Sequence, residues 1–438
     1  MNSYVEILKK LISYQTVNNP VEQQIPKKDV LNYIKEDIFS PLGYEVFMYE
    51  SNGYWSLIAY LKRNKPNILF IGHCDVVPPG PDWITNPFKL TIKEDKAYGR
   101  GAADMKGAVS VMLDLAEEIH NKTKSSVVFA INLDEESGGN DGAGKLTSYL
   151  EKLDLIPDYV INGDANGLQI VNKRRNPFAI TLNVPKTKIK IKGRKETRSF
   201  KTDIAGKRTM HAAYFMRDID IHAADKASAF LKENQFKANR IQGTFVKNNV
   251  LPSEIKVDYI IPDEEDGENQ EYDENLTNFL YSVAEFSNID VPSDPSDYGI
   301  NLTFNYYKDK KEEHMFQMDL RIMSKSHEDV RSYFEKLIKQ YAIPGDIELK
   351  GSLGPVNTPE DSLLIIKAIE TARALQLSEK PIEMGGATDS RFFSALNIPA
   401  IEFGPLGGNV HGSNEYVEIN SLQMVRDFYF KLIKNLEE

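Results

Sequence analysis

The chain has 438 residues, of which 41% are hydrophobic and 27% are charged, so its composition is that of a globular protein and its length exceeds one usual domain. The 53 Lys plus Arg against 64 Asp plus Glu give a net charge of −11, which disfavours nucleic acid as a partner. No apolar run reaches the roughly eighteen residues of a membrane span, which excludes a membrane partner, and one cysteine cannot form an internal disulfide framework.

The N-terminal segment predicts an amphipathic helix rather than an export signal. Val5, Leu8 and Ile12 share one helical face, and Lys9 and Lys10 interrupt the apolar stretch that a signal peptide would need. We therefore expect a soluble protein in the cytoplasm, where the lone cysteine would stay reduced.

Short apolar runs alternate with helical patterns over the first 170 residues. The runs NILFIG (67–72), SSVVFAINL (125–133) and PDYVING, which ends at Gly163, read as strands, and apolar residues recur at helical spacing over 107–119. This alternation is typical of βαβ units, so we predict an α/β domain with a mostly parallel sheet.

The pattern changes after Arg175. Residues 180–192 alternate as an antiparallel strand with one wet face would, and the acidic run 263–275 is predicted to be a surface loop. Further predicted elements are helices at 223–233 and 328–340 and strands near 314–322 and 346–350. The middle of the chain is thus predicted to be a separate α+β unit.

The α/β pattern returns with the segment SLLIIKAIETARAL, the strand IPAIEF and a final helix. The middle unit is therefore inserted into the first domain. We predict a catalytic, metal-binding domain formed by 1–177 and 353–438, and an inserted domain formed by 178–352.

Residues that can bind a cation follow the buried strands, where open α/β sheets gather their ligands. Taken singly, each has an ordinary interpretation, since a lone histidine is more often structural and loop carboxylates are usually solvated. Together, at the ends of four strands, they predict a metal site. The candidate ligands are His73, Asp104, Glu136, Asp164 and His411.

The positions of three carboxylates, Asp75, Glu135 and Glu136, are also consistent with a metal site. Asp75 lies two residues after His73 on an extended segment, so the two side chains point the same way and Asp75 can fix the imidazole tautomer. Glu135 and Glu136 point to opposite sides, so that one can bind metal while the other faces the substrate. Glu135 is the candidate general base.

Two histidines and three carboxylates suit zinc and also accept cobalt or manganese. Two such ions a few ångströms apart can generate hydroxide near neutral pH and polarise a scissile carbonyl. The donor set therefore predicts a hydrolase with two Zn²⁺ per subunit.

Several motifs, in order from about residue 67 to 418, carry a family resemblance: GHCDVVP, GRGAADMKGA, DEESGG, NGDAN, GATDSRFF and PLGGNVHGSNEY. They resemble the metallopeptidase family of acetylornithine deacetylase, succinyl-diaminopimelate desuccinylase, aminoacylase and carboxypeptidase G. The resemblance implies that Asp104 bridges two metals, that His73 and Asp164 complete one site, and that Glu136 and His411 complete the other. It also implies Glu135 as the general base and Asp75 as the residue that orients His73.

The resemblance further implies that the inserted domain is a lid that forms a homodimer. His211 matches a lid histidine that stabilises the oxyanion in a partner's active site, although an ordinary surface histidine is the alternative. Arg391 and Arg321 resemble arginines that contact a substrate carboxylate, and a salt bridge inside the lid is the alternative for Arg321.

The expected reaction is hydrolysis of an N-acyl amino acid or short peptide with a free carboxylate, a part of amino-acid metabolism. A dipeptidase or carboxypeptidase of the same family is the enzymatic alternative. A binding protein that lost catalysis is a third, which would show the loss of Glu135 or a ligand, and all of these residues are present.

Overall fold

A computed structural model describes residues 2–207, 209–263, 265–294 and 298–438. In these parts of the chain the strands are β1 Glu45–Ser51, β2 Tyr54–Leu61, β3 Asn64–His73, β4 Thr91–Lys93, β5 Lys96–Tyr98, β6 Ser125–Asn132, β7 Tyr159–Asn162, β8 Val171–Arg174, β9 Asn176–Pro185, β10 Lys188–Lys201, β11 Lys237–Gly243, β12 Glu254–Pro262, β13 Glu268–Asp273, β14 Asn301–Asp309, β15 Glu313–Ile322, β16 Asp346–Gly351, β17 Val356–Asn357, β18 Ile382–Met384, β19 Ala400–Glu402, β20 Gly407–Gly408 and β21 Tyr416–Glu418. The α-helices are α1 Ser3–Ser13, α2 Asp29–Tyr33, α3 Gly107–Lys122, α4 Ala143–Lys152, α5 Ala223–Glu233, α6 Glu274–Ser282, α7 His327–Gln340, α8 Leu363–Ala374, α9 Ser390–Ser394 and α10 Ile419–Leu436.

The chain divides into two compact units. The first contains Met1–Arg174, Val356–Glu383 and Thr388–Glu438, and the second contains Arg175–Pro355 with the short segment Met384–Ala387. The predicted insert, 178–352, lies within the second unit. The return of Met384–Ala387 to that unit had no signal in the sequence.

A nine-stranded sheet forms the centre of the first unit, in the order β1-β2-β6-β3-β7-β19-β8-β17, with β18 paired to β8. Strand β3 is parallel to β6 and β7, and β19 is parallel to β7, whereas the outer strands pair antiparallel. The predicted α/β class is confirmed, and the four central strands β6, β3, β7 and β19 pair parallel to one another.

Helices cover both faces of this sheet. Successive residues of β2, β3 and β6 point to opposite faces and enter two different apolar clusters. One cluster joins helices α1, α3, α8 and α10 to one face through Leu8, Met112, Ile365, Phe428 and the strand residues Leu57, Ile68 and Val127. The other joins α4 and α9 to the opposite face through Leu146, Phe393, Ile58, Leu69 and Val128.

The central strands are apolar on both faces because both faces are covered. Ile68, Leu69, Phe70 and Ile71 of β3 are all fully buried. This continuous apolar run is typical of a strand in the middle of a parallel sheet. A smaller antiparallel sheet, in the order β20-β21-β5-β4, completes the unit.

The second unit contains two four-stranded antiparallel sheets, in the orders β11-β12-β10-β13 and β14-β15-β9-β16, with helices α5, α6 and α7. Its core contains a group of packed aromatic rings among aliphatic side chains. The rings of Phe279 and Phe316 stack with their centroids 3.6 Å apart, and Phe304 packs edge-on against both.

Two element predictions for this unit were wrong. Residues 180–192 form parts of two strands, β9 and β10, which lie in different sheets and are separated after Pro185. Pro185 still pairs with Glu313, and the alternation runs on across residues 186–187 into a strand of the other sheet, so the local pattern did not show the break. The predicted loop 263–275 contains β13, which pairs with β10; the side chains of Glu268, Asn269 and Glu271 are exposed, whereas those of Tyr272 and Asp273 are buried.

In the parts of the chain that the structure describes, no helix combines the length and the hydrophobicity that a membrane span requires.

Candidate metal centre

The five predicted ligands all belong to the first unit and lie at the ends of its elements. His73 ends β3, Asp104 precedes α3, and Glu136 lies in the turn after β6. Asp164 follows β7 by two residues, and His411 lies in the loop between β20 and β21. Because β3, β6 and β7 are parallel, their carboxyl ends bring these side chains to one edge of the sheet.

Asp104 lies between the two histidines. Its Oδ1 is 3.1 Å from Nε2 of His73, and its Oδ2 is 3.1 Å from Nε2 of His411. The same Nε2 of His411 lies 3.2 Å from Oε2 of Glu136. Each oxygen of one carboxylate therefore faces a different imidazole.

The ligand atoms group into two trios whose members lie within 4.8 Å of one another. One trio consists of His73, Asp104 and Asp164, and the other consists of Asp104, Glu136 and His411. Asp104 is the shared member. An imidazole and two carboxylates within this distance are a donor set that zinc accepts.

The electrostatics of the cluster also fit divalent cations. Burial raises the pKa of Asp164 to about 7, and the charge of Asp104 adds to this. Burial would also raise the pKa of Asp104, but hydrogen bonds from His411 and His73 lower it far below the ordinary value. Buried carboxylates that outnumber the nearby cationic side chains are costly to ionise, and divalent cations would offset that cost.

The imidazole of His73 is oriented by Asp75. Its Nδ1 lies 3.0 Å from the backbone carbonyl of Asp75 and 3.4 Å from the carboxylate Oδ1. Both are acceptors, so Nδ1 carries a proton, and Nε2 is the ring nitrogen that faces Asp104 and would act as the ligand atom once it is deprotonated. The backbone carbonyl, which the sequence did not suggest, is the nearer of the two.

The Asp75 carboxylate also holds the turn that carries the two glutamates. Its Oδ2 accepts hydrogen bonds from the backbone N–H of Glu136 at 3.0 Å and from Asn18 Nδ2 at 2.8 Å. Asp75 is fully buried. The position of the Asp75 carboxylate therefore affects both His73 and Glu136. Asn18 holds this carboxylate in place, and no local sequence motif indicates that role.

Glu135 lies beside the two trios without belonging to either. Burial raises the pKa of its carboxyl well above the ordinary value, and the negative charge of Asp164 raises it further. The positive charge of His73 lowers the pKa but offsets only part of this increase. A carboxylate with a raised pKa accepts a proton more readily at neutral pH.

Arg174 supports the Asp164 end of the site. Its guanidinium forms a buried ion pair with Glu402 of β19 and donates to the backbone carbonyl of Asp164. The Thr388 hydroxyl donates to the other oxygen of Glu402. No sequence motif indicates these residues, although the position of Glu402 at the end of an apolar strand is a possible signal.

Arg391 is nearly buried, with 8% of its surface exposed. One terminal nitrogen donates to the carbonyl of Thr388 at 2.8 Å, and the other donates to the carbonyl of Gly138. The side chain thus ties the turn after Glu136 to helix α9. Contact with a substrate carboxylate stays a prediction.

Arg321 and His211 belong to the second unit. Arg321 forms a two-pronged salt bridge with Asp319, with Nε 2.7 Å from Oδ1 and Nη2 3.0 Å from Oδ2, which is the alternative that the sequence left open. His211 Nδ1 accepts from the N–H of Ala213, and its Nε2 lies 3.0 Å from the side-chain amide of Asn249. Their roles toward a substrate stay predictions.

Residues 69–435 match the profile described as Peptidase family M20/M25/M40. The chain belongs to this family. Its members are metal-dependent enzymes that hydrolyse amide C–N bonds, so the predicted enzyme class and family resemblance are confirmed.

Two relatives align with almost the whole chain. A succinyl-diaminopimelate desuccinylase of Janthinobacterium sp. (strain Marseille) is 26% identical over 410 residues, which cover 91% of this chain and 92% of the relative. A succinyl-diaminopimelate desuccinylase of Helicobacter pylori (strain Shi470) is 27% identical over 471 residues, which cover 99% of both chains.

Solved structures share the fold. Aminoacylhistidine dipeptidase from Vibrio alginolyticus superposes with a TM-score of 0.69 at 14% identity, over 99% of this chain and 96% of its own. An M20 family metallo-carboxypeptidase from Sulfolobus solfataricus gives a TM-score of 0.62 at 18% identity over 100% of both chains.

The protein stripped of metal is expected to lose stability as the pH rises from 5 to 8. The pKa of Asp164 is about 7 in the folded chain and about 3.9 in an unfolded one, so the folded state binds more protons between these values. The free energy of unfolding then falls by up to about 1.4 kcal/mol per pH unit for each such group. Glu136 raises the pKa of His411, which extends the same trend above pH 6.5 or so.

Thermal unfolding at pH 5, 6, 7 and 8, with chelator and with added zinc, measures this effect. The stabilisation by zinc should grow with pH, because protons compete for the same ligand atoms. A chelated protein whose melting temperature rises steadily toward pH 8 would contradict the electrostatic account of the cluster.

Proposed function

We propose that the protein is a two-metal hydrolase that cleaves the amide bond of an N-acyl amino acid or short peptide bearing a free carboxylate. The observation that carries this proposal is the position of Asp104, whose two oxygens each lie 3.1 Å from a different imidazole. One carboxylate placed in this way can bridge two ions, and a two-ion site is suited to hydrolysis at a carbonyl carbon.

In this proposal His73, Asp104 and Asp164 would hold one ion, and Asp104, Glu136 and His411 would hold the other. Zn²⁺ suits these imidazole and carboxylate donors, and Co²⁺ or Mn²⁺ can replace it. When bound, the pair supplies a Lewis acid for the scissile carbonyl and lowers the pKa of water.

The chain's own groups then handle the proton. Glu135 accepts the proton of the attacking water and delivers it to the leaving nitrogen, which requires a carboxylate near the ions that is not itself a ligand. Asp75 keeps Nδ1 of His73 protonated, so that Nε2 remains available as a ligand.

The substrate class rests on the full-length desuccinylase relatives, which act on an N-acyl amino acid. Arg391 and Arg321 are proposed to contact the substrate carboxylate, and His211 to stabilise the oxyanion across a homodimer formed by the second unit. A dipeptidase or carboxypeptidase of the same family is the alternative activity. We also propose that the protein acts in the cytoplasm.

A side-by-side substrate assay tests the proposal. The purified protein, loaded with zinc or cobalt, is incubated with succinyl-diaminopimelate, acetylornithine and a set of dipeptides, and release of the amine is measured. We expect hydrolysis of an acylated amino acid at the highest kcat/KM. Faster cleavage of dipeptides would favour the peptidase alternative, and no amine release from any substrate would favour a binding protein.

A further inference from the structure

A buried ion pair lies directly behind the shared ligand. Glu415 and Arg100 are each 1% exposed, and Arg100 Nη1 donates to Oε2 of Glu415. Glu415 belongs to the loop that carries His411, and Arg100 lies four residues before Asp104. The pair thus joins two ligand-bearing segments that are more than 300 residues apart in the chain.

The carboxylate of Glu415 is surrounded by backbone donors from the turn that presents Asp104. Its Oε1 accepts from the N–H of Ala103 at 2.8 Å and from the N–H of Asp104 itself at 3.0 Å. Its Oε2 accepts from the N–H of Gly101 at 2.9 Å. Gly101 has φ +83°, a conformation that other residues rarely adopt, and this allows the turn to curl around the carboxylate.

Arg100 makes the reciprocal connection to the histidine loop. Its Nη2 lies 3.3 Å from the backbone carbonyl of His411, and also 3.3 Å from the carbonyls of Pro78 and Pro79. The N–H of Gly99 donates to the backbone carbonyl of Glu415 at 3.0 Å. Hydrogen bonds therefore run in both directions between the two segments.

His411 needs such support more than the other ligands. Its side chain is 42% exposed, its backbone has φ +60°, and the loop that carries it lies outside the strands and helices. His73, by contrast, is 1% exposed and ends a central strand. The central strand and its burial therefore fix the backbone of His73, whereas the backbone of His411 depends on local hydrogen bonds.

We infer that Glu415 and Arg100 are positioning residues that hold Asp104 and His411 at the separation required to bind one ion together. The inference rests on the proposed function, because it assumes that these two residues are ligands. Neither Glu415 nor Arg100 is proposed to contact an ion or the substrate. Their effect passes through the backbone of the two segments.

The charge of Glu415 is required as well as its size. A glutamine has one acceptor oxygen, and its NH₂ group would face the N–H donors of the turn or the guanidinium of Arg100. Donors would then be left unpaired in a buried place, which is costly. Loss of such supporting contacts to a metal ligand typically weakens metal affinity or activity by about 10- to 100-fold.

The test compares Glu415→Gln with Glu418→Gln, the same change three residues later at a side chain for which no role is proposed. Co²⁺ is titrated into each metal-free protein against a competing chelator, which gives two dissociation constants. For Glu415→Gln we expect both constants to rise, with the larger rise, about 10- to 100-fold, at the site that contains His411, because Asp104 belongs to both trios and His411 to only one. In hydrolysis kcat should fall while KM stays nearly constant.

A second variant covers the case in which Glu415→Gln does not fold. Arg100→Lys keeps the positive charge beside Glu415 but cannot also reach the carbonyl of His411, and it should weaken the same ion selectively. Unfolding of the metal-free proteins separates a general loss of stability from a loss of metal affinity. Two unchanged dissociation constants in both variants would overturn the inference.

The metal titration separates this inference from the proposed function. A wild-type protein that binds two Co²⁺ ions but hydrolyses none of the substrates would contradict the proposed function, and the variants would still test the positioning role. A wild-type protein that binds no Co²⁺ would overturn both.

Discussion

Glu135→Gln is expected to lower kcat by about 10²- to 10⁴-fold while both metal ions remain bound. Glutamine has nearly the same size and cannot accept and return a proton. Glu135 belongs to neither trio of ligand atoms, so the change leaves the donor set intact. The variant should therefore separate metal binding from proton transfer.

Elemental analysis and kcat measured on the same preparation check this result. Glu151→Gln, the same substitution at an exposed position of α4, is the matched control and should keep full activity. Retention of activity by Glu135→Gln would remove the proposed base. Loss of an ion from this variant would instead indicate that Glu135 is a ligand.

Asp104→Ala is expected to abolish hydrolysis and to lose both metal ions, whereas His411→Ala should lose one. The difference follows from the geometry, because Asp104 belongs to both trios and His411 to one. Removal of the shared carboxylate leaves each site with only two protein ligands, too few for a stable four-coordinate ion.

Metal content after dialysis against zinc-free buffer distinguishes the two variants. Asp154→Ala removes an exposed carboxylate that pairs with Lys62 at 3.1 Å, and it should keep both ions. If Asp104→Ala retained one full equivalent, Asp104 would serve a single ion. If His411→Ala retained two, His411 would not be a ligand.

Much of the fold could be predicted because its signals are local. The apolar runs of β3 and β6 and the helical spacing of α3 depend on neighbouring residues, and all three elements lie where the periodicity placed them. The prediction failed at 180–192, where the alternation continues from β9 into β10 although these two strands lie in different sheets. It failed again at β13, whose polar residues form an edge strand that looks like a loop.

The candidate ligands were also accessible from sequence, because open α/β sheets place functional groups after their central strands. The types of the five residues and their positions after strands were sufficient to predict a cluster. Their partners were not accessible in this way. Asn18 contacts Asp75 across 57 positions of the chain, and Arg174 pairs with Glu402 across 228.

The sequence by itself determined the α/β class, the strand ends and the chemical types of the candidate ligands, since periodicity and residue chemistry are properties of short segments. Only the tertiary structure decided that the two oxygens of Asp104 face different histidines and that Glu415 lies behind them. The physical reason is that a hydrogen bond or a shared ligand depends on distances of about 3 Å. Such distances between remote segments are fixed by the packing of the whole sheet and its loops.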